Sequence, residues 1–136
     1  MLSRTACLLI GVTPSLFFGG CSEPNYAPVT GQVYYNGKPL AKGVVMFQPS
    51  NGQPARGTIQ TDGTFKLETP GEAEGARIGL NQVRISSRET HADAGEIALG
   101  RMLIPERYND FVTSGLTAEV KPADNDRFVF RLQDKP

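Results

Sequence analysis

One residue in this chain is well placed for covalent chemistry. Cys21 stands where the apolar run TACLLIGVTPSLFFGG gives way to the polar SEPN. Small residues, Gly19-Gly20, precede it, and the leader carries a single early cation, Arg4, the layout of an export signal before a cut. The run is shorter than the ~20 apolar residues of a spanning helix, and Pro14 interrupts it. Cys7 lies inside the leader, so its removal leaves Cys21 without an intramolecular disulfide partner.

Other side chains with chemical potential assemble less well. Zinc hydrolysis needs several nitrogen, sulfur or carboxylate ligands on one ion. The chain has one histidine, His91, in a polar loop with Glu89 and Asp93, and it reads as a solvated loop residue. Ser114 precedes Gly115 in TSGL but lacks the G-x-S-x-G elbow, so Thr113 and Ser114 read as turn residues whose hydroxyls bond nearby backbone. Asp124-Asn125-Asp126 offers oxygens to calcium, yet without a trailing bidentate glutamate it reads as a β-turn. Lys38, Lys42 and Lys66 would each need a buried asparagine and an acid alongside to form an isopeptide bond, a juxtaposition that the sequence does not reveal. Tyr26, Tyr34 and Tyr35 offer rings for stacking on a sugar, but alternation puts Tyr34 and Tyr35 on opposite faces. No catalytic set forms, so the expectation is a chain that is not an enzyme and holds no metal or cofactor.

Composition points the same way. Fourteen basic side chains balance fourteen acidic ones with no basic run, which argues against a nucleic-acid partner. Fifteen glycines and ten prolines, spread as punctuation, suit short strands and many turns. Residues 21–136 suffice for one domain with one core.

The elements that would position any site have period two. Val29, Gly31, Val33 and Tyr35 fall on one face of the first strand, and Asn36-Gly37 supplies a tight hairpin turn. VVMFQP is apolar on both sides, which predicts a strand covered on both faces and closed by Pro49. RGTIQT and TFKLET flank Asp62-Gly63 as a second hairpin, and LNQVRISS, LTAEV and RFVFRL complete seven strands. Residues 70–79 read as a loop, and residues 88–103 carry no strand period beyond a candidate helical turn at 96–99. Loops of that length are often functional or disordered. Seven strands with one dominant apolar face each predict a two-layer antiparallel sandwich.

Three stretches carry resemblances. FFGG-Cys21 resembles the lipobox of bacterial lipoproteins, with Phe18 where that family usually has an aliphatic residue. The likeness implies cleavage between Gly20 and Cys21, a diacylglycerol on the thiol and a tether over residues 21–28. Ser22, rather than aspartate, follows the cysteine and leans toward the outer membrane. PVTGQVYYNGKPLAKGVVMFQP with GTIQTDGTFKLET looks like the carboxypeptidase-regulatory-like domain. IPERYNDFVTSGLTAEVKPADNDRFVFRL is similar to small planctomycete-type lipoproteins that carry it. Together these imply an all-β, seven-stranded antiparallel Greek-key β-sandwich of transthyretin-like type over residues 29–136. Transthyretin-like sandwiches that hydrolyse 5-hydroxyisourate use several histidines and end Tyr-Arg-Gly-Ser, whereas this chain ends RLQDKP. The implied role is a non-enzymatic cell-envelope protein, structural or adhesive, held to the membrane through its diacylglycerol and facing an envelope protein or glycan. The alternative is an extracytoplasmic module binding a carbohydrate or other small ligand through the 88–103 loop or an exposed sheet face.

Overall fold

The computed structural model of the chain describes residues 25–89, 100–123 and 125–135. Alternating burial builds its strands. Gly31 and Val33 are buried in β2 (Thr30–Tyr35), as are Val45, Phe47 and Pro49 in β4 (Gly43–Pro49). The same alternation holds in β5 (Ala55–Ile59), β10 (Gly79–Ser86), β11 (Leu116–Val120) and β12 (Phe128–Leu132). Shorter pieces complete the set: β1 (Tyr26–Ala27), β3 (Lys38–Pro39), β6 (Thr64–Lys66), β7 (Glu68–Thr69), β8 (Ala73–Glu74) and β9 (Ala76–Arg77). Asn36 and Gly37 take φ angles of 50° and 81°, the positive pair a tight hairpin turn requires between β2 and β3.

The all-β expectation holds, with two main sheets. The larger runs β11-β10-β4-β5-β7-β8, and the smaller has β2 between β12 on one side and β3 with β6 on the other. They pack face to face in a sandwich-like arrangement. Phe47 of the larger sheet meets Phe65, Phe128 and Phe130 of the smaller edge-to-face, with ring centroids 5.7–6.5 Å apart. Such aromatic pairs add about 0.5–1.5 kcal/mol each beyond their buried area. Val33, Val45, Leu67, Val83, Ile85 and Leu132 fill the rest of the core.

Several expectations need correction. The sandwich is not wholly antiparallel, because β12 runs parallel to β2, with Phe128 opposite Gly31 and Leu132 opposite Tyr35. After β11 the chain crosses from the larger sheet to the smaller, and that crossing sets its direction. The 56–69 hairpin is also split. Its turn forms, with Gln60 N–H donating to Thr64 O and the Asp62 carboxylate accepting from the Thr64 N–H and hydroxyl. Phe65 then joins the aromatic cluster, so β6 pairs with β2, and only β7 returns to β5. Residues 70–79 are not a plain loop, since β8 and β9 pair with β7 and β1. The base of the 88–103 segment is a ladder: Arg88 bridges Met102, Glu89 N–H donates to Arg101 O, and Leu103 N–H donates to Ser87 O. The candidate turn at 96–99 lies outside the described residues.

A 3₁₀ turn, Glu106–Asn109, lies where the layers meet. Tyr108 is buried in the core cluster, and the turn contacts β10 on one side and the tail after β12 on the other.

Candidate functional site

The most chemically distinctive region is the outward face of the larger sheet. Inward alternation of Val45, Phe47, Val83 and Ile85 leaves Val44, Met46 and Gln48 of β4, and Gln82, Arg84 and Ser86 of β10, on the other side. The expected cover on both faces of VVMFQP is only partial: Val44 is 38% exposed, and Met46 and Gln48 are half-buried. Antiparallel register sets Arg84 beside Met46, and Met46 beside Arg56 of β5. The next row is Ser86, Val44 and Thr58.

Arg84 is half-buried and under-satisfied. Its Nη1 donates to Asn109 O at 3.3 Å, its Nη2 to Met46 Sδ, and its guanidinium lies 5.2 Å from the Phe111 ring centre. The Nε–H is buried and has no hydrogen-bond partner among the described residues. A thioether is a weak acceptor, so among the described residues one carbonyl is the only good oxygen for five N–H groups. Ion pairs among the described residues are Lys66–Glu74 and Arg101–Glu89, so neither Arg84 nor Arg56 is matched by a carboxylate in direct contact. Val44, Met46, Arg84 and Ser86 line a recess of about 230 Å³. Val44 also borders an open groove of about 530 Å³ that runs past Arg56, Lys66 and Glu68.

A second cluster lies at the tail. Arg107 donates to Asp134 O at 3.1 Å, to Gln133 O and to the Tyr108 hydroxyl at 2.9 Å, and stacks 4.5 Å over the Tyr108 ring. The Tyr35 hydroxyl donates to Asp134 Oδ1, and Asn36 Nδ2 donates to Oδ2 at 2.9 Å. The Tyr35 hydrogen bond, followed by that from Asn36, holds the Asp134 carboxyl below its usual range. The same bond to Asp134 pushes the Tyr35 phenol up. These contacts fasten the C-terminal tail.

The residues singled out in the sequence do not converge. Cys21, Gly20, His91 and Asp124 lie outside the described residues. The buried Ser114 hydroxyl donates to Val83 O and accepts from Leu116 N–H, and the Thr113 hydroxyl donates to Arg107 O. Both hydroxyls are thus engaged with backbone. Asn125 Oδ1 accepts from Lys121 N–H, and its Nδ2 donates to the carbonyls of Lys121 and Ala123. That side chain staples the turn. Lys38, Lys42 and Lys66 are exposed, whereas the buried asparagine is Asn81 of β10. Tyr34 faces outward and packs under Arg131 at 4.8 Å, and Tyr35 points the other way to Asp134. Among the described residues no cluster of three metal-ligating side chains occurs, and no helix is long and apolar enough to cross a membrane.

Arg84 is the residue that sequence reasoning passed over. Alternation marks it as outward, but its partial burial comes from Asn109 and Phe111, in a stretch without period. Comparisons of the chain with protein-family models, with curated proteins and with solved structures return no match.

Proposed function

We propose that this chain is a lipid-anchored, non-enzymatic protein of the bacterial cell envelope, with a structural or adhesive role. In this reading residues 1–20 are a signal peptide, Cys21 carries the diacylglycerol, and a transthyretin-like, carboxypeptidase-regulatory-like sandwich follows. The observation that carries it is the junction SLFFGG-Cys21-SEPN standing directly before the folded part, whose first strand is Tyr26–Ala27. That spacing would hold the domain a few residues from the bilayer, at the outer membrane by the absence of an aspartate after Cys21. Two acyl chains make such an anchor stable where one is marginal. Two facing sheets sharing one core support the sandwich part of the reading, and the parallel β2–β12 ladder is the feature that any assigned topology must accommodate.

Mass spectrometry of the protein from its native membranes tests the proposal. The expected mature chain begins at Cys21 and carries acyl chains. A cut elsewhere with a free Cys21 thiol would remove the anchor and leave a secreted binding module. One observation favours that second reading in its own right: the under-satisfied Arg84 beside an open recess on an exposed sheet face.

A further inference from the structure

The recess on the outward face of the larger sheet has the chemistry of a receptor. Buried charges in proteins are ordinarily paired and hydrogen-bonded. Arg84 has a carbonyl, a thioether and an aromatic face, but no carboxylate in direct contact among the described residues. Arg56 stands on the far side of Met46 in the same cross-strand row, also without such a contact. Met46 separates Arg84 from Arg56 in that row, Val44 and Ser86 of the next row complete the recess, and Arg56 borders the adjoining groove. An arginine fork matches the two oxygens of a carboxylate. The neighbouring acids keep the local charge low: Glu68 is opposite Arg56 in register, and Glu74 is paired with Lys66 at 3.7 Å. A site with that balance favours a single negative charge over a multiply charged phosphate.

We propose that this recess binds a monocarboxylate with an apolar body, its carboxylate held by Arg84 and its carbon skeleton lying on Val44 and Met46, while Arg56, across Met46 in the same row, adds to the positive potential that draws the anion in. The site belongs to the folded domain, so it stands or falls independently of acylation at Cys21.

The chain has three methionines, and Met46 is in the recess while Met102 is at the base of the 88–103 segment. The full chain labelled with ¹³C at its methionine methyls is titrated with hexanoate, acetate, glucuronate and inorganic phosphate. Hexanoate is expected to shift the Met46 methyl and leave Met102 in place, with a Kd on the order of 1 mM or below. It should bind at least about tenfold tighter than acetate, since its methylenes leave water. Glucuronate matching hexanoate would overturn the apolar body, since its hydroxylated ring cannot lie on Val44 and Met46 as methylenes do. Phosphate binding as well as hexanoate, or a silent Met46 methyl, overturns the proposal.

Arg84→Gln should weaken hexanoate at least about tenfold, the loss of a charge-assisted hydrogen bond. Because that change also touches the Asn109 contact, the exposed Arg56→Gln supplies an independent reading. It should weaken hexanoate severalfold with the Met102 signal unmoved, and an unchanged affinity overturns the two-arginine site.

Discussion

Two arginines, one within the Glu106–Asn109 turn and one reaching it from β10, are used in opposite ways. Arg107 gives its N–H groups to three oxygens and lies flat on Tyr108. Arg84 also lies against an aromatic ring, Phe111, yet it reaches one carbonyl and a sulfur and keeps a buried Nε–H without a partner. The first is a rivet that fastens the tail to the core. The second carries desolvation that nothing within the described chain fully offsets, which is the condition under which an external anion gains most. The lesson is that stacking on an aromatic face does not tell a structural cation from a receptive one. The oxygens within reach do.

The largest effect expected from this contrast is on stability at the rivet. Arg107→Ala should cost about 2 kcal/mol, the range for hydrogen bonds made by a charged group, read from urea unfolding midpoints. A loss as small as that of an ordinary surface change would erase the distinction. Arg84→Met should do much less. Replacing an under-satisfied cation by an apolar chain of similar length should leave stability within about 1 kcal/mol or raise it. A cost equal to that of Arg107→Ala would make Arg84 a second rivet and not a receptor.

The smallest effect is a pH dependence at the tail. Asp134 is held below its usual value by Tyr35 and Asn36, and Asp62 below its usual value by the hydroxyl and N–H of Thr64. A carboxyl with a lowered folded pKa contributes stability that is present above its unfolded value, ~3.9, and is lost as pH falls through the folded value. Asp134→Asn should therefore flatten part of the acid limb of the stability curve below about pH 4. Arg107→Ala should reduce that limb less than Asp134→Asn does, because the hydrogen bonds of Tyr35 and Asn36 lower Asp134 most and the charge of Arg107 adds a smaller lowering. Tyr35 acts in the opposite sense: its raised phenol contributes below ~10, and that contribution is lost as pH rises through its folded value.

Much of the sheet content was legible in period two. Gly31 and Val33, Val45 and Phe47, Val83 and Ile85 all face inward as alternation requires, and Asn36-Gly37 turns as its residue types demand. Neighbour and direction were not legible. Phe128, Phe130 and Leu132 would alternate in the same way whether β12 ran parallel or antiparallel to β2. Phe65 likewise looks inward in a hairpin, and only its packing on Phe47 and Phe130 shows that β6 has changed sheets. The recess was hidden for a related reason. Register across three strands brings Arg84, Met46 and Arg56 into one row, and register is a property of the assembled sheet.

The ladder between β2 and β12 joins the first long strand of the domain to the last. One flank of β2 stays open until residues 128–132 pair with it. Contacts so distant along the chain form slowly, because the loop they close must be ordered before pairing rewards it. Loss of residues 128–132 would therefore leave an unprotected strand edge, with Val33 and Phe47 lacking the cover of Phe130 and Leu132. The strand Phe128–Leu132 thus shields an edge that Thr30–Tyr35 cannot shield by itself.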